Sequence, residues 1–182
     1  MKTLFLIVLG ALAFITSANS QSTDIEYYPE LVFSFQDGDY VAEDGDSFWI
    51  GIHQVRLHGI DTVEKNQRCR DEVGDVDCHS MTMAFLESHL LDPSFSCRVH
   101  KGKRKLPRTS HNRYIVTCFV DNQELNSIMV ENGWAVAANG TDGEHYHAKE
   151  AIAKAAGRGL HQWEFTHPHE FRNPPSKECT CD

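Results

Sequence analysis

The sequence lacks several features that would each have indicated a different class of protein. Beyond residue 20 it has no apolar stretch long enough to span a bilayer. It contains neither a Cys-x2-Cys pair nor a His-Glu-x-x-His segment, which argues against the common zinc sites. Basic residues are few, since 17 Lys and Arg stand against 26 Asp and Glu and give a net charge of −9. That balance argues against a protein that simply coats nucleic acid.

The N-terminal segment is the one long apolar run. Lys2 is the only charge in the first twenty residues, residues 4–15 are almost entirely apolar, and small residues follow at Ala18-Asn19-Ser20. This order is typical of a secretory signal peptide. We therefore predict a signal over residues 1–20, a secreted or periplasmic protein, and no membrane attachment once the signal is removed.

The cysteines are consistent with export. There are six of them, all beyond the predicted signal: Cys69, Cys78, Cys97, Cys118, Cys179 and Cys181. An even number in an oxidising compartment predicts disulfides, although six cysteines allow fifteen connectivities and the sequence alone does not choose among them. We favour the pairs Cys69–Cys78 and Cys97–Cys118, the second because it would link two neighbouring strands. The pairing of Cys179 and Cys181 stays open.

The pattern of apolar residues predicts one domain over residues 31–172, after a flexible lead-in at 21–30 and before a Cys-bearing tail at 173–182. Short strands are expected within residues 31–57 and at 96–100 and 114–120, and helices at 80–91, 124–131 and 143–156. Five strands with a helix before the last two suggest an α+β fold. The expected architecture is a five-stranded OB-type β-barrel with about three helices.

The segment around residues 44–64 contains most of the candidate catalytic and metal-binding residues. Asp44, Asp46, Arg56, Asp61 and Glu64 lie within about twenty residues of one another, and Arg113 follows downstream. Carboxylates suit Ca²⁺ or Mg²⁺, and the guanidinium fork suits phosphoryl oxygens. The combination predicts a metal-dependent phosphodiesterase.

Phosphodiester hydrolysis assigns a task to each of these groups. Two carboxylates, from Asp46 and Asp61, would bind the metal together with the carbonyl of Thr62, and waters would complete the shell. Glu64 would act as general base on a nearby water, and Arg56 and Arg113 would hold the phosphate. A basic segment is equally consistent with substrate contact and with a solvated loop. Its candidate substrate contacts are Lys101, Lys103, Arg104 and Lys105.

These motifs together resemble a known family. Asp44-Gly45-Asp46-Ser47, the run Val-Arg-Leu-His-Gly-Ile-Asp-Thr-Val-Glu at 55–64, and Asn112-Arg113 are similar to the staphylococcal nuclease (thermonuclease) family, and the likeness extends over roughly residues 38–172. The cysteine positions and the ending through Phe171-Arg172 look like those of its secreted members.

The resemblance implies an OB-fold nuclease that uses Ca²⁺ and cuts DNA and RNA with little sequence preference. It implies that Arg56 and Arg113 are the catalytic arginines, Glu64 the catalytic glutamate, Asp46 and Asp61 the side-chain metal ligands with the Thr62 carbonyl, and Asp44 an accessory acid. We expect Ca²⁺ as the cofactor, with Mg²⁺ as a possible substitute, and a monomer.

Several positions depart from the family's pattern, and two of them bear directly on the site. Val63 stands where proline is usual, which should loosen the turn holding Glu64. Asn112 stands where glycine is usual, and Asn tolerates the positive φ that this turn needs. Two alternatives remain: a secreted OB-type binding module without turnover, and an enzyme for another phosphodiester or a small nucleotide. The first is disfavoured by Glu64, because a pure binder has no use for an acid that repels phosphate.

Overall fold

The computed structural model describes residues 26–101 and 111–175. Several predictions fall outside these ranges: the signal over residues 1–20, the first part of the lead-in, and the residues Lys103, Arg104, Lys105, Cys179 and Cys181. Within the described ranges no helix has the length and apolar character needed to cross a membrane.

The described chain alternates short strands with short helices. The strands are β1 (Tyr27–Ser34), β2 (Tyr40–Asp44), β3 (Ser47–Ile50), β4 (His53–Leu57), β5 (Ile60–Asp61), β6 (Cys69–Arg70), β7 (Asp75–Val76), β8 (Ser96–His100), β9 (Tyr114–Val120), β10 (Gln123–Glu124) and β11 (Val136–Ala137). The α-helices are α1 (Cys78–Leu90), α2 (Leu125–Glu131), α3 (His147–Ala155) and α4 (Pro168–Arg172). Turns of 3₁₀ helix lie at Phe35–Asp37, Thr141–Tyr146 and Gly159–Gln162.

Seven strands form the main sheet, in the order β1-β8-β9-β4-β3-β2 with β10 paired to β9. All of its pairs are antiparallel except β4 with β9, where Arg56 lies opposite Ile115. Two small ribbons, β5 with β11 and β6 with β7, lie outside it. The parallel pair sets the start of β9 beside the middle of β4, which positions the site described below.

The α+β class is consistent with this architecture, but the predicted strand number is wrong. Among the described residues seven strands pair in the main sheet where five were expected, because β2 forms a separate strand within the strand-like stretch 31–57 and β10 is too short to show a period. Among the described pairings none joins β1 to β2, so closure into a barrel stays a prediction.

The expected lead-in at 21–30 is corrected in its second half. β1 begins at Tyr27, whose backbone pairs with His100 and whose ring meets the His100 ring edge-on. Cross-strand contact with β8 therefore orders residues whose composition is that of a flexible segment.

The helices match their predicted positions with two differences. Helix α1 begins at Cys78 rather than residue 80, because Asp77 caps it by accepting from the Ser80 backbone N–H at 3.3 Å and the Ser80 hydroxyl at 2.9 Å. The helix predicted at 143–156 is split into the 3₁₀ turn Thr141–Tyr146 and α3. Helix α4 was not predicted, since five residues are too few to show a helical period.

The hydrophobic core lies between the sheet and helices α1 and α2. Phe48, Leu57, Phe95 and Leu125 are among its fully buried side chains, and burying a side chain of this size contributes roughly 1.5–3 kcal/mol. A second, smaller cluster contains Val63, Cys69, Cys78 and Leu160.

Both favoured disulfides are present. Cys69–Cys78 links β6 to the start of α1, and Cys97–Cys118 joins directly opposed residues of β8 and β9. Disulfides persist in oxidising compartments, so the two pairs fit an extracellular or periplasmic protein.

Candidate active site

Arg56, on β4, binds two buried carboxylates at once. Its Nη1 donates to Asp46 Oδ1 at 2.6 Å and its Nη2 to Asp61 Oδ1 at 2.9 Å. Register explains the first contact, because Ser47 on β3 lies opposite Arg56 and brings the preceding Asp46 beside it. The second follows from the turn at Gly59, which returns the chain so that β5 carries Asp61 back toward β4.

The two carboxylates have opposite electrostatic environments although both are about 2% exposed. Burial raises the pKa of Asp46 to about 6, despite the opposing charge of Arg56. Burial would also raise the pKa of Asp61, but hydrogen bonds and charge from Arg172 and Arg56 outweigh it and hold that pKa below its usual value. Asp46 has one arginine partner and Asp61 has two, and that difference decides the sign.

Glu64 sits on a loop that is held from several sides. Its backbone N–H donates to Gln67 Oε1 at 3.2 Å, and the Gln67 N–H donates to the Glu64 carbonyl at 2.8 Å. Val63 is fully buried in the smaller cluster, and its carbonyl lies 3.1 Å from His79 Nδ1. Packing and hydrogen bonds therefore support the turn that valine, in place of proline, is expected to loosen.

Arg113 approaches the same place from the start of β9. Asn112 before it has φ 60°, the positive value that was expected to be tolerated there. Burial, and next the charge of Arg56, lower the pKa of Arg113, while Asp46 and Glu43 oppose that shift. Its Nε is buried and has no hydrogen-bond partner among the described residues. Two guanidinium groups thus lie close enough to repel each other, and one has an N–H unsatisfied.

Asp44 and Thr62 lie at the edge of this group. Asp44 Oδ1 is 3.5 Å from His79 Nδ1, and burial raises the pKa of Asp44, with the charge of Glu64 adding to the effect. Thr62 is 1% exposed, and its Oγ1 has no hydrogen-bond partner within the described part of the chain. The candidate acids and the two candidate arginines therefore lie near one another, although they come from four separate stretches of chain.

Sequence reasoning gave no role to Arg172, which the structure adds to the site. Its Nη1 donates to Asp61 Oδ1 at 2.9 Å, its Nη2 pairs with Asp61 Oδ2, and Nη1 also pairs with Glu64 Oε1. Its resemblance to the ending of secreted family members was the only signal for it. Two anchoring residues, Gln67 and His79, were also missed, since a buried Gln or His has no sequence pattern.

Comparison with known proteins identifies the fold's family. A model described as staphylococcal nuclease homologue matches residues 54–164, which is more than half of the chain. The chain belongs to the staphylococcal nuclease family. A comparison with curated proteins found no match. Membership implies a nuclease or nucleic-acid-binding function, and the resemblance inferred from the motifs is confirmed.

The staphylococcal nuclease match covers only part of the site. Arg56, Asp61, Glu64 and Arg113 lie inside residues 54–164. Asp44 and Asp46 precede the matched region, and Arg172 follows it. The features outside it therefore rest on the geometry of this chain alone.

The basic segment of this staphylococcal nuclease homologue is described only at its start. Lys101 Nζ donates to Glu26 Oε1 at 2.8 Å and lies 5.8 Å from the centre of the Tyr28 ring. Lys101 is thus paired with the N-terminal strand region. The other three predicted substrate contacts, Lys103, Arg104 and Lys105, lie outside the described residues.

The donor set of the site suits a hard divalent cation. Over residues 26–101 and 111–175 no three His, Cys, Asp or Glu side chains are arranged as a metal site. However, the expected set needs only two carboxylates, from Asp46 and Asp61, with a backbone carbonyl and water. Both carboxylates are buried, and burial destabilises the ionised form of Asp46. A cation beside them would offset that cost, so the residues fit Ca²⁺ or Mg²⁺.

Proposed function

We propose that the protein is a secreted, Ca²⁺-dependent nuclease that hydrolyses phosphodiester bonds in DNA and RNA with low sequence specificity. The observation that carries this proposal is Arg113, whose buried Nε has no partner among the described residues and whose charge interacts with those of Arg56 and Asp46. A buried N–H without an acceptor is costly, and an oxygen of a bound phosphate would supply the acceptor. A phosphate with several acceptor oxygens is the anion that suits two guanidinium forks.

The arginines would act on the phosphate. Negative charge builds on the non-bridging oxygens as a water attacks phosphorus, and donors already aimed at those oxygens stabilise the transition state most. Arg113, with its free N–H, would bind the phosphate on arrival. Arg56 is held in place by Asp46 and Asp61, so its orientation is set before substrate binds.

Glu64 would deprotonate or orient the attacking water. Its side chain is about a quarter exposed, so water reaches it, whereas Asp46 and Asp61 are closed to solvent. The hydrogen bonds of Gln67 fix the loop on which it sits. The accessible carboxylate of Glu64 therefore suits proton transfer, and the two buried carboxylates suit the binding of a cation.

The cation would be bound by Asp46, Asp61 and the Thr62 carbonyl, with Asp44 as an accessory acid nearby. Bound Ca²⁺ would neutralise charge on the phosphate and help to orient water. Mg²⁺ is the alternative cation for the same oxygen ligands. The basic segment at Lys101, Lys103, Arg104 and Lys105 would contact the polymer beyond the scissile phosphate, and the molecule would act as a monomer.

A non-catalytic secreted module that binds nucleic acid is the alternative function. It would use the same two arginines but would have no need of an accessible acid beside the phosphate. The position of Glu64, which shares the guanidinium of Arg172 with Asp61 rather than lying on a remote face, favours turnover.

Cleavage assays with a matched pair of variants test the proposal. The purified protein should degrade DNA and RNA in Ca²⁺ and stop when a chelator is added. Glu64→Gln should keep substrate binding and lose at least about a hundredfold in cleavage rate, because a general base typically contributes that much. Gel assays of cleavage and fluorescence anisotropy of a labelled oligonucleotide measure the two quantities.

Glu72→Gln is the control, since it makes the same chemical change on an exposed acid of the same region. It should cleave as the parent does. Equal cleavage by Glu64→Gln and the parent would remove the catalytic role of Glu64. Binding without any cleavage by the parent, in Ca²⁺ or Mg²⁺, would favour the binding module.

A further inference from the structure

Arg172 makes contacts that a merely structural surface arginine would not need. It lies 111 residues from Asp61 in sequence, yet it donates to both oxygens of that carboxylate and also to Glu64. Its own side chain is about a third exposed, whereas Asp61 is almost fully buried. A guanidinium therefore reaches from the surface and binds the two acids to which we assign cation binding and proton transfer.

The C-terminal segment that carries Arg172 is docked on the loop holding Glu64. The backbones of Arg70 and Glu164 exchange hydrogen bonds at 2.8 and 2.9 Å. Gln67, whose backbone bonds to Glu64, also donates through its side chain to the Thr166 carbonyl. These contacts position α4 beside the site. Arg172 is the residue of α4 whose guanidinium binds the acids.

The charges of the site balance differently with and without Arg172. Asp44, Asp46, Asp61 and Glu64 carry four negative charges when ionised, and Arg56 and Arg113 carry two positive ones. The acids therefore exceed these two arginines by two negative charges, which is the amount that one divalent cation neutralises. Arg172 neutralises one of these two charges, so its positive charge replaces part of the charge that a bound cation would supply.

The carboxylate oxygens of Asp61 are also shared between Arg172 and the expected cation. Oδ1 already accepts from Arg56 and from Arg172, which takes both of its lone-pair positions, and Oδ2 accepts from Arg172. Arg172 also takes one oxygen of Glu64. A cation that approaches Asp61 must therefore share crowded acceptors with this guanidinium or displace it.

We propose that Arg172 is a third arginine of the site, one that competes with the divalent cation for Asp61 and Glu64. Cation binding weakens the hold of Arg172 and frees Oε1 of Glu64 for water. Without the cation, Arg172 keeps the acids compensated and the site closed to proton transfer. This inference rests on the proposed function, because it takes Asp61 as a ligand of the cation.

Calorimetric titration with Ca²⁺ alone, at low ionic strength, tests the competition. Arg172→Gln should bind Ca²⁺ more tightly than the parent, on the order of tenfold, because a competing cation has been removed. Arg172→Lys, which keeps the charge but loses the fork, should fall between them. Arg158→Gln removes a positive charge from an exposed arginine of the same half of the chain and should match the parent.

Hydrogen exchange on the unaltered protein gives a second measurement that needs no variant to fold. Competition is reciprocal, so Ca²⁺ must loosen what Arg172 holds. The amides of Phe171 and Asn173, which donate to His167 and His169 in α4, should exchange faster with Ca²⁺ than without it. The amides of α2 should not.

Unchanged or weaker Ca²⁺ binding by folded Arg172→Gln, or slower exchange in α4 with Ca²⁺, overturns the proposal. Absence of Ca²⁺ binding to both proteins also overturns it, whereas cleavage of DNA by the parent with Mg²⁺ would still support the nuclease activity without its Ca²⁺ dependence. Tighter Ca²⁺ binding by Arg172→Gln supports the proposal even if no nuclease activity is found. These measurements therefore distinguish failure of the competition by Arg172 from failure of the proposed nuclease function.

Discussion

A second group of residues, two stacked histidines on the sheet, is held neutral by its surroundings. The rings of His58 and His100 lie 4.0 Å apart at an angle of 25°, and His100 Nε2 is 2.6 Å from Thr117 Oγ1. His100 is 7% exposed. Burial, followed by the charge of His58, lowers the pKa of His100 to about 3. Burial lowers the pKa of His58 as well, against the opposing charge of Asp142.

This pair predicts acid sensitivity with a definite sign. The folded state binds fewer protons than the unfolded state between pH 3 and the ordinary histidine pKa near 6.5. Stability therefore falls as the pH is lowered below 6.5, by about 2 kcal/mol at pH 5 for His100 alone. We expect His100→Gln to remove about that much of the difference in unfolding free energy between pH 7.5 and pH 5, measured by urea denaturation.

The control for the histidine experiment is His147→Gln, at an exposed position of α3. It should keep the pH dependence of the parent. If His100→Gln and the parent lose the same free energy on acidification, His100 is not the group that makes the fold acid-sensitive.

At the scale of elements, the turn between β4 and β5 decides whether the site forms. Gly59 has φ 71°, and a Cβ there would lie 2.4 Å from the Asp142 carbonyl oxygen and 2.7 Å from the Tyr146 ring. Glycine is needed at this position for two reasons: the positive φ, and the close approach of the neighbouring atoms. The turn carries Asp61 to Arg56, so this constraint is also a constraint on the site.

A pair of glycine substitutions separates these two needs. Gly157 has a similar φ of 59°, but a Cβ there would meet no atom within 4 Å. Gly157→Ala should therefore cost only the conformational strain, about 1 kcal/mol. Gly59→Ala should cost roughly 3 kcal/mol, because the clash adds to that strain. Chemical denaturation measures both, and equal losses would mean that the neighbours of Gly59 give way.

In the molecule as a whole, the two disulfides stabilise different regions. Cys97–Cys118 joins β8 to β9 within the main sheet. Cys69–Cys78 closes the segment that follows Glu64 and belongs to the smaller cluster, against which Trp163 and Phe165 of the C-terminal segment pack. The first therefore supports the scaffold, and the second supports the side of the molecule that carries Glu64 and Arg172.

Removal of each disulfide by double alanine substitution tests this division. Each loss should lower the free energy of unfolding by about 3 kcal/mol, because the two closed loops have similar entropy costs. Only Cys69→Ala with Cys78→Ala should also reduce cleavage at a temperature where both proteins are folded. Equal effects of the two pairs on cleavage would contradict the local role of Cys69–Cys78.

Local patterns in the sequence predicted much of this fold. Strands β8 and β9 and helix α2 lie where periodicity and turn residues set them, because these signals are contained in short windows of chain. The predicted positive φ at Asn112 is confirmed for the same reason. The strand count failed where pairing partners, rather than local pattern, define the strand, as in β2 and β10.

The sequence by itself determined the family and the order of the acids and arginines, since the spacing from Arg56 to Glu64 is a property of a single short segment. Only the tertiary structure decided that Arg172 reaches Asp61 and Glu64, that Val63 is buried, and that the pairing of β4 with β9 sets Arg113 near Arg56. Each of these contacts joins parts of the chain that are brought together by packing of the whole domain. No local window contains the information, because the free energy of such a contact depends on every element that positions its two ends.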